Sequence, residues 1–199
     1  MIPEIKIEDY NYGLDPCRIA KYPLPERDAS KLLRYRDGLV DHFIFRDLPN
    51  LLPDGALMVF NDTKVVPARL FFRRDSGAAI EIFCLEPVNP PEYNTAFASV
   101  GTCTWKCVVG NSKRWKTDVL SLINTDCSQE VAELDLKAAL VEKNGETAIV
   151  EFRWNGEVPF SNVLDIAGKV PIPPYLNRDT EAIDLERYQT LYAHTRGSV

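Results

Sequence analysis

Residue types able to do chemistry are confined to a few short segments of this chain. Asn61-Asp62-Thr63 sets a carboxylate between two hydrogen-bonding side chains, directly after the apolar run Ala56-Leu57-Met58-Val59-Phe60. Strand ends are where scaffolds deliver groups to a site. Asn, Asp and Thr also bond their own backbone at chain reversals, so a plain turn is the competing reading. Arg69, between Ala68 and Leu70, needs a counter-charge if it is covered, and Asp62 or a substrate anion would serve. Otherwise it points to water. Pro171-Ile172-Pro173-Pro174-Tyr175-Leu176-Asn177-Arg178 is a stiff shelf, because each proline fixes its own φ. It is either a ligand platform that loses little entropy on binding or a linker between domains. Asp184, Tyr188, Gln189 and Tyr192 fall within two helical turns. Tyr188 and Tyr192, spaced i and i+4, would share one helix face, turned to a ligand or to the core of an amphipathic helix.

One stretch mixes cations with aromatic rings: Lys106, Lys113, Arg114 and Lys116, with Trp105 and Trp115 between them. Cations on phosphates and rings on bases suit loop or single-stranded RNA; a solvated barrel face gives the same pattern. Cys103 and Cys107 are the close cysteine pair. Their spacing is compatible with zinc, but no second pair or paired histidine follows. In a strand both thiols would lie on one face. No Gly-rich phosphate loop, dinucleotide fingerprint or local Cys/His or Ser/His/Asp signature is present.

The elements that must position these groups follow from hydrophobic period and turn residues. Lys31–Arg36 and Leu39–Phe45 read as strands joined by Asp37-Gly38, a strong hairpin signal. The continuous apolar run 56–60 reads as a strand covered on both faces. From Val65 to Trp154 the text is mostly strands: Val65–Arg74 with Pro67 interrupting it, then Ile80–Leu85, then a Pro/Asn-rich loop. Ala132, Leu134, Leu136, Ala138 and Leu140 alternate with charged residues, and so do Ala148, Val150, Phe152 and Trp154, with Asn144-Gly145 as the turn between them. This is the pattern of a small antiparallel barrel or sandwich. Phe160, Val163, Leu164 and Ala167 mark a helix with Gly168 as its C-terminal cap, and Asp184 would cap a helix running through Tyr192. The expected fold is an α/β (α+β) domain interrupted by an inserted antiparallel β-barrel, with residues 1–64, 65–155 and 156–199 as its parts.

Composition narrows the class. Apolar residues make up 45% and charged residues 26% of 199, which excludes general disorder. Nothing approaches the ~18 consecutive apolar residues of a membrane span, and no secretory signal opens the sequence. With 23 Lys plus Arg against 29 Asp plus Glu, the net charge is −6. Bulk attraction to nucleic acid is excluded, so any such contact must be a local patch. Five cysteines without a secretion signal point to reduced thiols.

Long blocks tie the segments together: Ile19–Pro23, Arg27–Leu33, Phe45–Pro49, Leu57–Leu70, Pro171–Arg178 and Asp184–Ala193. In this order they resemble the S-adenosylmethionine:tRNA ribosyltransferase-isomerase family of queuosine biosynthesis. The resemblance implies transfer and isomerisation of the ribosyl group of S-adenosylmethionine onto a 7-aminomethyl-7-deazaguanine base in the tRNA anticodon loop, giving epoxyqueuosine and releasing adenine and methionine. It makes Asp62 and Asp184 candidates for proton transfer. Tyr175 and Tyr188 would face the sulfonium, and Arg69 and Arg178 the methionine carboxylate or an RNA phosphate. Asn61, Thr63, Pro174, Gln189 and Tyr192 would complete the substrate contacts, and Lys113, Arg114 and Lys116 the RNA contacts. No metal and no permanently bound cofactor are expected, S-adenosylmethionine being the donor substrate. The expected setting is a cytoplasmic monomer. Gly197-Ser198-Val199 reads as the opening of a motif, so the chain is expected to be an N-terminal portion of a longer enzyme, or a paralogue, that folds but turns nothing over alone. The alternative is a non-catalytic RNA-loop or nucleoside-binding module.

Overall fold

The computed structural model describes residues 5–124 and 127–198. Met1–Glu4, part of the segment read for a secretory signal, and Val199, the end of the Gly197-Ser198-Val199 motif, lie outside the described residues. The chain forms two compact units, one of residues 5–59 with 173–179 and the other of 60–172 with 180–198.

In the first unit, single 3₁₀ turns precede a hairpin of β1 (Lys31–Arg36) and β2 (Leu39–Ile44). Asp37 and Gly38 both take positive φ, 53° and 81°, and Arg36 pairs with Leu39 across them. Such a turn carries the twist that the two strands need. α1 (Leu48–Leu51) follows, with Pro49 in its first turn, where the missing N–H has no partner to lose. The apolar run 56–60 departs from expectation. It forms no strand, and Leu57 and Val59 are 90% and 86% exposed. An apolar run becomes a covered strand only when neighbours take up its backbone groups, and no strand among the described residues pairs with this one.

The second unit opens with β3 (Thr63–Val65), β4 (Arg69–Arg73) and β5 (Ala79–Asn89). The break between β3 and β4 falls at the expected Pro67, which cannot donate to a ladder. Then come α2 (Tyr93–Ala98), β6 (Thr102–Gly110), β7 (Leu120–Leu122), α3 (Gln129–Leu134), β8 (Lys137–Asn144) and β9 (Thr147–Arg153). α4 (Phe160–Ala167), α5 (Asp184–Arg187) and β10 (Thr195–Ser198) complete the unit. β4-β5-β6-β9-β8-β7 close into a barrel in which every pairing is antiparallel. Alternation drives this. On β9, Ala148, Val150 and Phe152 are buried while Arg153 faces out. Leu70, Phe72, Ile80, Ile82 and Trp105 meet them inside. Phe160 of α4 inserts its ring 5.4–5.5 Å from those of Trp105, Phe152 and Trp154, joining the helix to the barrel core.

One local expectation is corrected and another is borne out. The alternation from Ala132 to Leu140 is a strand only from Lys137; its first part is α3, started by Ser128, whose hydroxyl accepts from the Val131 N–H at 3.5 Å. Ala132 and Leu134 are too few to separate period 2 from a helical turn, and the cap decides. Gly168 is the C-terminal cap of α4, as expected, and its backbone is extended (φ −88°, ψ 161°). It is glycine because of a close approach: a Cβ there would lie 1.8 Å from the Pro67 carbonyl oxygen and 2.6 Å from that of Leu164. The neighbouring Lys169 exchanges both backbone hydrogen bonds with Arg69, so neither chain can yield. Gly168→Ala is therefore expected to lower stability by about 1–3 kcal/mol or more, measured by denaturant unfolding; a variant as stable as the parent would show that the crossing is loose.

Candidate functional site

The polar residues after the apolar run build a turn that is stitched to the far end of the chain. Asn61 Oδ1 accepts from the Thr63 N–H at 3.0 Å and from the Thr63 hydroxyl at 2.7 Å, an Asx turn. The backbone here is held from 189–194. The Thr190 hydroxyl donates to the Asn61 carbonyl (3.2 Å), and the His194 N–H donates to the Asp62 carbonyl (2.7 Å), leading into the parallel pair β3–β10. Gln189 presents its side-chain amide to Val65 as a strand would, donating from Nε2 to the carbonyl (2.8 Å) and accepting at Oε1 from the N–H (2.9 Å). The Tyr192 ring lies 4.9 Å from that of Phe60. The Asp62 side chain stands exposed on this pinned turn.

The helix is shorter than expected. α5 ends at Arg187 with Tyr188 at its cap, and after one more turn-like bond from the Gln189 N–H to the Glu186 carbonyl the chain runs along 61–65, held by the Gln189 and Thr190 side chains and the His194 N–H. Tyr188 and Tyr192 consequently do not share a helix face. Asp184 is buried, the fully covered charged residue among the described ones, and its carboxylate accepts from the Glu181 N–H at 2.8 Å. A cavity of about 230 Å³ opens beside the stitch, lined by Lys64, Val65, Pro67, Asp165, Leu185 and Gln189. Lys64 and Asp165 bring opposite charges to it, and neither carried a signal of its own in the sequence. The partner expected for Arg69 is corrected. Its Nε lies 3.0 Å from Glu81 Oε1, close enough for charge pairing but outside hydrogen-bond geometry. Arg69, Phe71, Glu81 and Phe83 share the outer barrel face by register, so the counter-charge comes from the adjacent strand and not from Asp62.

The prolyl shelf belongs to the other unit. Pro174–Leu176 makes a 3₁₀ turn, ended by Asn177 at φ 49°, and leaves Pro174 exposed and Tyr175 66% exposed. Arg178 folds back on the Lys21-Tyr22 segment. Nε donates to the Lys21 carbonyl (2.8 Å), Nη1 donates to the Asp179 carbonyl (2.9 Å), and the guanidinium covers the Tyr22 ring at 4.5 Å. Asp62, Arg69, Tyr188, Gln189 and Tyr192 thus fall in one unit and Pro174, Tyr175 and Arg178 in the other.

Within the basic and aromatic stretch the rings are corrected to core residues. Trp105, on an inward position of β6, and Trp115, in the segment between β6 and β7, are both buried, so neither can stack on a base. Trp115 donates from Nε1 to the Asp118 carbonyl (2.8 Å), and Arg74 pairs with the Asp118 carboxylate at 2.5 Å, holding that carboxyl below its usual range. This pinned turn carries Lys113, Arg114 and Lys116, all exposed. Lys106 pairs with Glu86 at 2.5 Å. Cys103 and Cys107 do lie on one face of β6, the inner one, and Cys107 pairs in register with Cys84 of β5. Burial pushes the Cys103 and Cys107 thiols well up, and no cluster of three or more metal-ligating side chains occurs among the described residues.

Residues 7–199 match the family model described as queuosine biosynthesis protein. Three curated relatives are each called S-adenosylmethionine:tRNA ribosyltransferase-isomerase. That of Trichlorobacter lovleyi is 36% identical over 97% of this chain, that of Aquifex aeolicus 34% over 98%, and that of Heliobacterium modesticaldum 37% over 95%. The chain spans about half the length of these relatives, 51%, 52% and 50% respectively.

Two outcomes follow from this geometry. Gln189→Leu removes both hydrogen bonds to Val65 and is expected to cost about 1–3 kcal/mol, with faster amide exchange at Val65; unaltered exchange there would mean the clamp is not needed. A thiol reagent is expected to modify Cys17 and Cys127, which are exposed, in the native protein and to reach Cys84, Cys103 and Cys107 only after denaturation. Native modification of all five would place the three outside the core.

Proposed function

Because the chain belongs to the queuosine biosynthesis family, we propose that it is part of an enzyme that moves and isomerises the ribosyl group of S-adenosylmethionine onto 7-aminomethyl-7-deazaguanine in the anticodon loop of a tRNA. Adenine and methionine leave, and epoxyqueuosine is the product. The observation that carries the reading is the 36% identity over 97% of the chain to a relative named for this transfer.

The chemistry needs a base near the 5′ carbon, whose protons the adjacent sulfonium acidifies, and an acid to help adenine depart. In this reading Asp62 takes the proton. Its carboxylate is exposed on a turn whose backbone is fixed by Thr190 and His194, so it meets substrate without prior rearrangement. Asp184, buried and bonded to the Glu181 N–H, acts through the segment it shapes. Tyr175 and Tyr188 supply ring faces to the sulfonium. Arg69 and Arg178 attract the methionine carboxylate or an RNA phosphate. Asn61, Thr63, Pro174, Gln189 and Tyr192 shape the substrate cradle, the first two and Gln189 through the strand-end turn. Lys113, Arg114 and Lys116 contact tRNA phosphates.

The barrel, 65–155, is an insertion in an α/β domain to which 1–64 and 156–199 contribute. The sulfonium charge activates methionine as a leaving group and an acid assists adenine, so the proposed mechanism calls on no metal or resident cofactor. No helix among the described residues is long and apolar enough to cross a membrane, and a monomer in the cytoplasm suits a tRNA substrate. In the whole protein, Asp62→Asn is expected to lower turnover by about 10²–10⁴-fold while S-adenosylmethionine binding, measured by calorimetry, is kept. Undiminished turnover would take the base away from Asp62, and absence of S-adenosylmethionine binding by the parent protein would overturn the reading.

A further inference from the structure

By the antiparallel pairing of the wall, the connections β4–β5, β6–β7 and β8–β9 leave the same end of the barrel. The β6–β7 connection carries Lys113, Arg114 and Lys116 and is fixed at several points. Asn111 Nδ2 donates to the Ala79 carbonyl at the start of β5 (3.4 Å). The Trp115 N–H donates to the Ser112 carbonyl (3.2 Å) while its ring sits in the core. Asp118, the one carboxylate of the 111–118 segment, is taken by Arg74.

The β8–β9 hairpin brings a fourth cation to this rim, one that no sequence signal marked. Leu140 stands opposite the inward Val150, but the register shifts before Glu142, which pairs with Ile149. Lys143 therefore stands opposite the buried Ala148, on the inward side of β8 at its very end, and Glu142 lies on the outer face. From there the Lys143 ammonium reaches across the rim and donates to the Ser112 carbonyl at 2.8 Å. Its charge is thus held beside the peptide that joins Ser112 to Lys113. One bond leaves two of its three donors uncommitted, and the side chain is exposed.

On the barrel wall, Arg69, Arg74, Lys106, Lys137 and Arg153 each lie against a carboxylate. Among the described residues no carboxylate pairs with Lys113, Arg114, Lys116 or Lys143, Glu146 of the adjoining turn included. In a chain of net charge −6 this is a local concentration of unneutralised positive charge, the condition for a polyanion to bind at one place. Cations spread over a fixed turn and a hairpin match phosphates spaced along a strand, whereas one free anion calls for donors converging on a single point.

We infer that Lys143 is a further RNA-contacting residue, which with Lys113, Arg114 and Lys116 makes this rim of the barrel a seat for the sugar–phosphate backbone of an RNA strand. The choice of RNA among polyanions rests on the tRNA reading above; the gathering of the four charges does not.

Fluorescence anisotropy of a labelled tRNA titrated with the 199-residue protein over a salt series tests this. Lys143→Gln is expected to weaken binding and to reduce the slope of log affinity against log salt by about one. Lys143→Arg, which keeps the charge, is expected to keep the parent's slope. In a chain already carrying Lys113→Gln, Arg114→Gln and Lys116→Gln, Lys143→Gln is still expected to reduce the slope by about one, which a residue that only propped up the turn would not do. All four positions are exposed, and an unchanged melting temperature shows the fold intact. The parent's slope in Lys143→Gln, or the same reduction in Lys143→Arg, overturns the inference and leaves the tRNA reading standing. Polyglutamate competing as well as tRNA would give the rim to an acidic protein, and inorganic phosphate competing as well would give it to a free anion; either overturns the assignment to RNA. Absence of tRNA binding by the parent chain overturns it too, while the proposed function then stands or falls by turnover of the whole protein.

Discussion

A six-stranded sheet that closes on itself leaves no edge to be paired, and that closure is the constraint on which the second unit depends. Every inward position of the wall must be filled by a side chain, because a barrel of this size has no room for solvent. Leu70, Phe72, Ile80, Ile82, Val150 and Phe152 do this, with Trp105 and the Phe160 ring joining them. Closure also fixes where each outward residue lies. Arg69 finds Glu81 across a strand pair, and Lys106 finds Glu86. The ends of the wall become rigid points from which other segments are hung. Lys169 pairs with Arg69 at the start of β4, and the same crossing brings Gly168 against Pro67. The strand-end turn 61–63 is thus anchored through β3 and Pro67 to a body that does not deform.

That turn has a second anchor. Val65 pairs in register with Ser198 of β10, and the side-chain amide of Gln189 satisfies both of its backbone groups. Thr190 and His194 continue the seam to Asn61 and Asp62. A carboxylate at the surface of a loop usually samples many positions. Here the backbone beneath Asp62 is held on both sides, at the modest cost of hydrogen bonds exchanged with water. In the reaction proposed for this family member, a carboxylate held in place gains more in rate than those bonds are worth in stability. The seam joins segments more than a hundred residues apart, so it also ties the ends of the second unit together.

Which parts of this were legible in the sequence depended on how local the determining interaction is. The hairpin of β1 and β2 is set by Asp37-Gly38 and was readable. So were β9, with its long alternation, and α4, with its apolar stripe. Ala132–Leu134 was not, because the hydroxyl of Ser128 outweighs an alternation only two apolar residues long. The run 56–60 looked like a covered strand because composition reports what a segment prefers to bury, not whether a neighbour is there. The site divides the same way. The Asx turn at Asn61 is a contact over two residues and was anticipated as one of two readings. The Gln189 clamp, the Glu81 partner of Arg69 and the fold-back of Arg178 onto Tyr22 are long-range. Amide and guanidinium groups carry no mark of which distant partner they will take.

The charge balance constrains how such a chain could engage RNA. Of its cations, Arg34, Arg46, Arg69, Arg74, Lys106 and Lys137 are already matched by carboxylates. With a net charge of −6, the long-range field repels a polyanion, and attraction begins only within about a Debye length, roughly 8 Å at physiological salt. In the proposed tRNA complex, contacts to phosphate would therefore be few and made at short range, by groups such as the exposed Lys113, Arg114 and Lys116. Few phosphate contacts mean a shallow salt dependence and little non-specific binding. In the proposed complex, discrimination would then fall to ring faces and amides able to read an unpaired base, which an anticodon loop presents and a duplex conceals.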